Sequence, residues 1–198
     1  MLPNISQLND YIWTGGDLHP AYINATKQMT HITDEGISVI IDTRYEWNDE
    51  SLWAEHPDVD YHHLGVDDDG GVQPDWWWGD GLAIIHRAIR DDRQVLIHCH
   101  MGVNRGPSLA GIALVDAFRQ SPLAAWSTIR AKRPISWACY MPDGLHYLGR
   151  HREAQILQTV IDGANENGEM DRTIGVIRKL HKDGLEASPA AIMAALGG

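Results

Sequence analysis

Short apolar runs alternate along the chain with longer segments whose apolar residues recur at helical spacing. The short runs are Tyr11–Thr14, Ser38–Asp42, Val59–Leu64 and Gln94–His98. Their length and β-branched content predict strands, and Val39-Ile40-Ile41 and Val95-Leu96-Ile97 are apolar enough to be buried on both faces. Helical spacing covers residues 21–36, 75–90, 107–119, 122–132 and 151–164. Ser121-Pro122 is a start signal, with serine as cap and proline in the first turn. The alternation predicts an α/β fold: a single domain over residues 1–164, with a central, mostly parallel sheet of four or five strands flanked by helices. Beyond it, Asn165-Glu166-Asn167-Gly168-Glu169 reads as a polar linker. Asp171–Lys182 and Ser188–Leu196 read as short amphipathic helices, with Ser188-Pro189 as a second start signal. Residues 165–198 thus form a helical C-terminal extension, and the pattern does not say whether it packs back on the domain or binds a partner.

Composition narrows the function classes. At 198 residues the chain can bury a sizeable core, and 43% hydrophobic with 22% charged residues is ordinary for a globular protein. A formal net charge of −11 disfavours general nucleic-acid binding. No apolar run reaches membrane-span length, and Met1-Leu2-Pro3-Asn4 does not open a secretory signal. With only two cysteines, the expected setting is a reducing, cytoplasmic one.

The chemistry concentrates in His98-Cys99-His100-Met101-Gly102-Val103-Asn104-Arg105-Gly106-Pro107-Ser108. Cys99 stands at the carboxyl end of a predicted buried strand, and a helix opens at Gly106-Pro107. In open α/β sheets that edge is where ligands bind. Loop N–H groups, a helix N-terminus and the Arg105 guanidinium all favour negative charge, so the Cys99 thiol is expected to lie below its ordinary value of about 8.5. The same donors, contributed by His100, Met101, Gly102, Val103, Asn104 and Arg105, suit a phosphate dianion, and Arg105 can hold two of its oxygens at once. Gly102 permits a tight turn, and Asn104 tolerates a left-handed conformation. An inert buried cysteine beside a loop arginine is the plainer alternative. A zinc site on His98, Cys99 and His100 does not match the usual ligand spacing.

This segment resembles the His-Cys-x5-Arg loop of the protein tyrosine phosphatase superfamily, and more closely its dual-specificity branch. The resemblance runs from about Ile5 to about Leu148. Asn9–Gly16 is similar to the family's opening strand and turn, Val39–Asp42 to its second buried strand, Tyr61–Asp69 to the strand entering the general-acid loop, and Ile129–Pro134 to the closing helix end. It implies that Cys99 is the nucleophile, that Arg105 binds phosphate, and that His98 hydrogen-bonds behind the loop and helps set the thiol. It also implies an aspartate acid seven residues after the strand tyrosine Tyr61, which is Asp68. Asp67 and Asp69 flank it, and the residues alone leave the choice among the three open. The family places Ser or Thr after the arginine, whereas this chain has Gly106. Ser108 is the candidate to stand in, and slower hydrolysis of the intermediate is expected.

The expected function is phosphomonoester hydrolysis through a thiophosphate intermediate, without metal or other cofactor, on a phosphorylated protein or peptide. The alternatives are a phosphate-binding pseudophosphatase that docks phosphorylated partners, and an RNA 5′-phosphatase. A sulfurtransferase loop would be one residue shorter, and an arsenate-reductase loop of this spacing would lie near the N-terminus. Cys139 is read as a half-buried small residue, with a resolving thiol as the second reading. Of Trp76-Trp77-Trp78, two are expected in the core and one at the surface. Asp42 and Arg44 are expected to hold loop structure, and the side chains of His62, His63, His86 and His100 to be ordinary surface or half-buried histidines.

Overall fold

The computed structural model describes residues 2–183 and 189–196. Its elements are β1 (Ile5–Gln7), β2 (Ile12–Gly15), α1 (Tyr22–Asp34), β3 (Ile37–Arg44), α2 (Glu50–Trp53), β4 (Asp60–Val66), α3 (Asp75–Arg90), β5 (Gln94–His98), α4 (Arg105–Asp116), α5 (Pro122–Lys132), α6 (Met141–Tyr147), α7 (His151–Ala164), α8 (Glu169–Lys182) and α9 (Pro189–Leu196). The strands form one sheet in the order β1-β2-β5-β3-β4. β2, β5, β3 and β4 run parallel, and β1 pairs antiparallel at the edge. This is the expected α/β architecture, and Ser188, expected to start the last helix, lies outside the described residues.

Both faces of the sheet are covered. Val39, Ile41, Val95 and Ile97 pack with α3 and α4 on one face, while Ile40 and Leu96 pack with Met29 and Ile32 of α1 on the other. Ile37 joins Ile40 rather than its odd-numbered neighbours. A register shift between Ile37 and Val39 changes the alternation there. Trp77 and Trp78 are fully buried and Trp76 is exposed. Helix α4 is buried from Arg105 to Val115, as a helix apolar all round must be, so it seats the segment after Cys99 against the centre of the sheet.

The extension packs back on the domain. Ile177 of α8 and Ile192 of α9 join Val103, Ile135 and Trp137 in one buried cluster, with Met101 at its margin. No described helix is long and apolar enough to cross a membrane.

Candidate active site

Strand β5 ends at His98, so Cys99 opens a loop at the carboxyl edge of the sheet, next to the ends of β2 and β3. The loop's carbonyls are drawn away from the thiol. Arg133 donates to Gly102 O (2.8 Å) and Met101 O (3.2 Å), and the Ser136 hydroxyl also donates to Gly102 O (2.7 Å). Val103 O accepts from the Trp137 and Ala138 N–H groups at 2.8 and 3.0 Å. With the carbonyls tied behind, amides turn inward, and those of Gly102 and Gly106 donate toward the Cys99 sulfur. Gly102 is the left-handed residue of the loop (φ +66), and a Cβ there would meet Arg133 at 2.3 Å. Asn104 is instead right-handed at φ −116, as the residue leading into α4.

Arg105 is buried in the first turn of α4. Its two terminal nitrogens donate to the two carboxylate oxygens of Glu46 at 2.7 and 2.9 Å, and Nη1 also donates to Val66 O at 2.9 Å. Its Nε is buried with no hydrogen-bond partner, and Asp68 Oδ2 stands 3.6 Å away, beyond hydrogen-bond reach. A buried guanidinium donor is thus left unsaturated near enough to the thiol to act on its charge.

The acidic turn separates into two roles. Asp68 Oδ1 accepts from the Tyr140 hydroxyl at 2.7 Å and from Asn104 Nδ2 at 3.4 Å. Asp67 Oδ1 accepts the Asp68 N–H and Asp69 Oδ1 accepts the Gly71 N–H, so both of these shape the turn. Asp68 is the member of the trio that faces Arg105.

The thiol departs from expectation. Burial pushes Cys99 above its ordinary value and the Asp68 charge adds to this, against the opposing pull of Arg105 and the Gly106 and Gly102 amides. Sequence reasoning counted the favourable donors but could not see complete burial or a carboxylate turned toward the sulfur. Burial likewise pushes Cys139 up to about 12, and both cysteines are free.

The remaining loop residues have separate partners. His98 is buried, its Nε2 3.9 Å from Asp42 Oδ1 and its Nδ1 without a hydrogen-bond partner. His100 Nδ1 bonds Asp17 Oδ2, and its ring lies 5.0 Å from that of Trp47. The side chains of His98, Cys99 and His100 therefore do not converge on a common point. Ser108 is fully buried, and its Oγ accepts the Tyr140 N–H at 3.1 Å. Gly106 fits a close approach of α4 to β5. A Cβ there would lie 3.0 Å from Ile97 O and from the His98 carbonyl carbon.

Beneath the loop, Arg44 Nη2 sits 2.6 Å from both Asp42 and Asp49, and Nη1 donates to Asp17 at 2.8 Å. Asp42, Asp49 and His98 stand close enough to hold an ion, but the Arg44 guanidinium occupies the space between the two carboxylates. Asp42 and Arg44 hold the loop floor, as expected. Sequence reasoning missed Glu46, Tyr140, Ser136 and Asp17. Glu46 alone carried a usable signal, since it follows the carboxyl end of β3, beside the end of β5.

No family model and no curated protein matches the sequence. Solved structures do match. The chain is similar to Tk-PTP in its active form (18% identity, 76% of this chain and 97% of that one, TM-score 0.60). It is also similar to human DUSP28 (16% identity, 79% and 96%, TM-score 0.59). A third match is a human tyrosine phosphatase-like serine/threonine/tyrosine-interacting protein (14% identity, 73% and 95%, TM-score 0.58). The fold is that of tyrosine and dual-specificity phosphatase structures, and the site residues stand at the carboxyl edge of its sheet.

Proposed function

We propose that the protein is a cysteine-dependent phosphomonoester hydrolase of dual-specificity type, acting on phosphorylated proteins or peptides. One observation carries the reading. Beside a buried cysteine at a strand end, Arg105 has both terminal nitrogens fixed by Glu46 and its buried Nε left without a partner. A buried guanidinium donor without a partner is costly unless a ligand completes it, and a phosphate oxygen suits that place.

The chemistry needs one proton, carried on Asp68 with Cys99 as thiolate. The Cys99 sulfur attacks phosphorus in line, the ester P–O bond breaks, and Asp68 gives its proton to the leaving oxygen. The Asp68 carboxylate then takes a proton from water, the water oxygen bonds to phosphorus, and the S–P bond breaks to return the thiolate. Arg105 and the inward loop amides stabilise the charge on the equatorial oxygens in both steps. The exposed carboxylates of the acid turn, Asp67 and Asp69, favour substrates with basic flanks.

A phosphate-binding pseudophosphatase is the second reading, favoured by Gly106 standing where the resemblance implies Ser or Thr. Hydrolysis of 4-nitrophenyl phosphate by the wild type and Cys99→Ser, with EDTA present and orthovanadate as inhibitor, separates the two. Turnover that is lost in the variant and blocked by vanadate supports the hydrolase. Vanadate binding without turnover supports the pseudophosphatase, and neither turnover nor binding overturns both.

A further inference from the structure

We propose that Tyr140 is a positioning residue that holds Asp68 over the Cys99–Arg105 cradle before any substrate arrives. Its consequence for catalysis rests on the hydrolase reading above, while its geometry stands on contacts alone.

The acid turn has little packing to fix it. Asp67, Asp68, Asp69, Gly70 and Gly71 are all exposed, and a Cβ at Gly70 would meet nothing within 4 Å. Its firmest tie is the Tyr140 hydroxyl, which donates to Asp68 Oδ1 at 2.7 Å and accepts the Gly70 N–H at 3.1 Å. One phenol oxygen therefore grips the turn at two points. A hydroxyl also keeps a free lone pair beside the Gly70 bond, so it can serve a protonated Asp68 as acceptor and an ionised one as donor.

Tyr140 is itself fixed to the cradle. Its side chain is buried, and its N–H donates to Ser108 Oγ at 3.1 Å in the second turn of α4. Two residues earlier, Ala138 takes a left-handed conformation (φ +50) and donates its N–H to Val103 O of the loop at 3.0 Å. Strain of this kind in a non-glycine residue persists only where its surroundings hold it. A continuous path thus runs from the loop carbonyl through Ala138 and Tyr140 to the acid.

Tyr140→Phe keeps the buried ring and removes only the grip. Two measurements test the proposal, with Asp68→Asn as the reference. The first compares phenyl phosphate, which needs a protonated leaving group, with 4-nitrophenyl phosphate, which needs it far less. Tyr140→Phe is expected to lower kcat on phenyl phosphate by about tenfold to a hundredfold and on 4-nitrophenyl phosphate by about twofold or less. In the Asp68→Asn background it should add nothing further. Equal losses on both substrates, or an undiminished loss in the Asp68→Asn background, would overturn the proposal.

The second measurement needs no turnover. The pH dependence of Cys99 alkylation by iodoacetamide, read on the Cys99 peptide because Cys139 is also a free thiol, senses the groups facing the sulfur, which include Arg105, Arg133, Asp68 and Cys139. The alkylation midpoint should move to lower pH in Asp68→Asn, and in the same direction in Tyr140→Phe as the carboxylate drifts away. A Tyr140→Phe midpoint that stays at the wild-type value while that of Asp68→Asn moves would overturn it. A wild type that turns over nothing sinks the hydrolase reading and leaves this second measurement to decide the positioning role.

Discussion

Glu46 grips Arg105 through both terminal guanidinium nitrogens, at 2.7 and 2.9 Å, and the grip orients the unpartnered Nε. The pair is asymmetric, with the Arg105 side chain 2% exposed and that of Glu46 39%. Arg105 holds the Glu46 carboxyl below its ordinary range, against the opposing effect of burial. Glu46 is therefore a clamp that stays charged across the working pH range.

The clamp can be tested directly. Glu46→Gln keeps one acceptor and loses the charge-assisted pair, worth about 1.5–3 kcal/mol for such bonds. Vanadate affinity and kcat/KM are each expected to fall by about tenfold to a hundredfold, and the melting temperature by several degrees, at roughly 2–4 °C per kcal/mol. Unchanged vanadate affinity in a folded Glu46→Gln protein would mean that Arg105 is oriented by Val66 O and packing alone.

The thiol makes a second prediction, whose sign follows from its neighbours. Cys99 is raised in the folded, ligand-free protein. The thiolate fraction therefore grows only as pH climbs past the ordinary thiol value of about 8.5. Alkylation of Cys99 should lag behind that of a free thiol at pH 7. Arg105→Met removes the largest lowering influence, so it should move the midpoint to still higher pH. A midpoint below that of free cysteine would show that the donors outweigh burial after all.

Gly106 sets a third. Replacing it with Ser would supply the hydroxyl expected from the phosphatase resemblance, but its Cβ would press on the β5 backbone at 3.0 Å. Backbone cannot yield as a flexible side chain does, so Gly106→Ser is expected to cost about 1–3 kcal/mol. At roughly 2–4 °C per kcal/mol for a chain of this size, the melting temperature should fall by several degrees. Intermediate hydrolysis, read as the steady rate after a burst, should not improve. A faster steady rate with an unchanged melting temperature would show that the helix can shift to make room.

The elements that sequence pattern revealed are those stabilised by their own periodicity. β5, α3, α5 and α7 fall at the residues expected. Those missed depend on distant partners. β1 has three residues and pairs at an edge, α2 is a single turn, and α6 is seven residues long with Gly144, a poor helix former, at its middle. Gly144 stands where α6 meets α4 so closely that a Cβ would lie 2.4 Å from Ile112. The same division holds at the site. Cys99 and Arg105 share one loop and are legible by spacing, whereas Glu46 lies 59 residues from Arg105 and Tyr140 lies 72 from Asp68. Spacing carries no information about such pairs, and the thiol's upward shift follows from the fold rather than from the motif.

The buried floor under the loop predicts an acid limb in stability. Burial works against ionised Asp42, but His98, Arg44 and Tyr61 together outweigh it and hold the carboxyl at about 2. A folded value below the unfolded one of about 3.9 means that the stabilisation is complete above that pH and is lost as pH falls from about 4 to about 2. The difference amounts to about 2–3 kcal/mol. Asp42→Asn should therefore destabilise the protein at pH 7 and weaken the dependence of unfolding free energy on pH below about 4. Denaturant titrations at pH 7, 4 and 3 measure this, and a variant that keeps the wild-type acid limb would place its origin elsewhere.

The C-terminal helices give the last prediction. Met101 and Val103 belong to the loop that follows Cys99, yet they face the cluster formed with Ile177 and Ile192, both essentially buried. The loop is braced from behind by the extension as well as by Arg133 and Ser136. An extension that merely trailed from the domain could be altered without effect on the site. Ile177→Ala instead opens a cavity under Val103 and Trp137, at a cost of about 2–5 kcal/mol for such truncations. If the brace matters to the loop, vanadate affinity should fall together with the melting temperature. Hydrogen exchange at the Gly102 and Val103 amides should rise before global unfolding. Exchange confined to α8 and α9, with the loop amides and vanadate affinity at wild-type values, would make the extension an independent element resting on the domain.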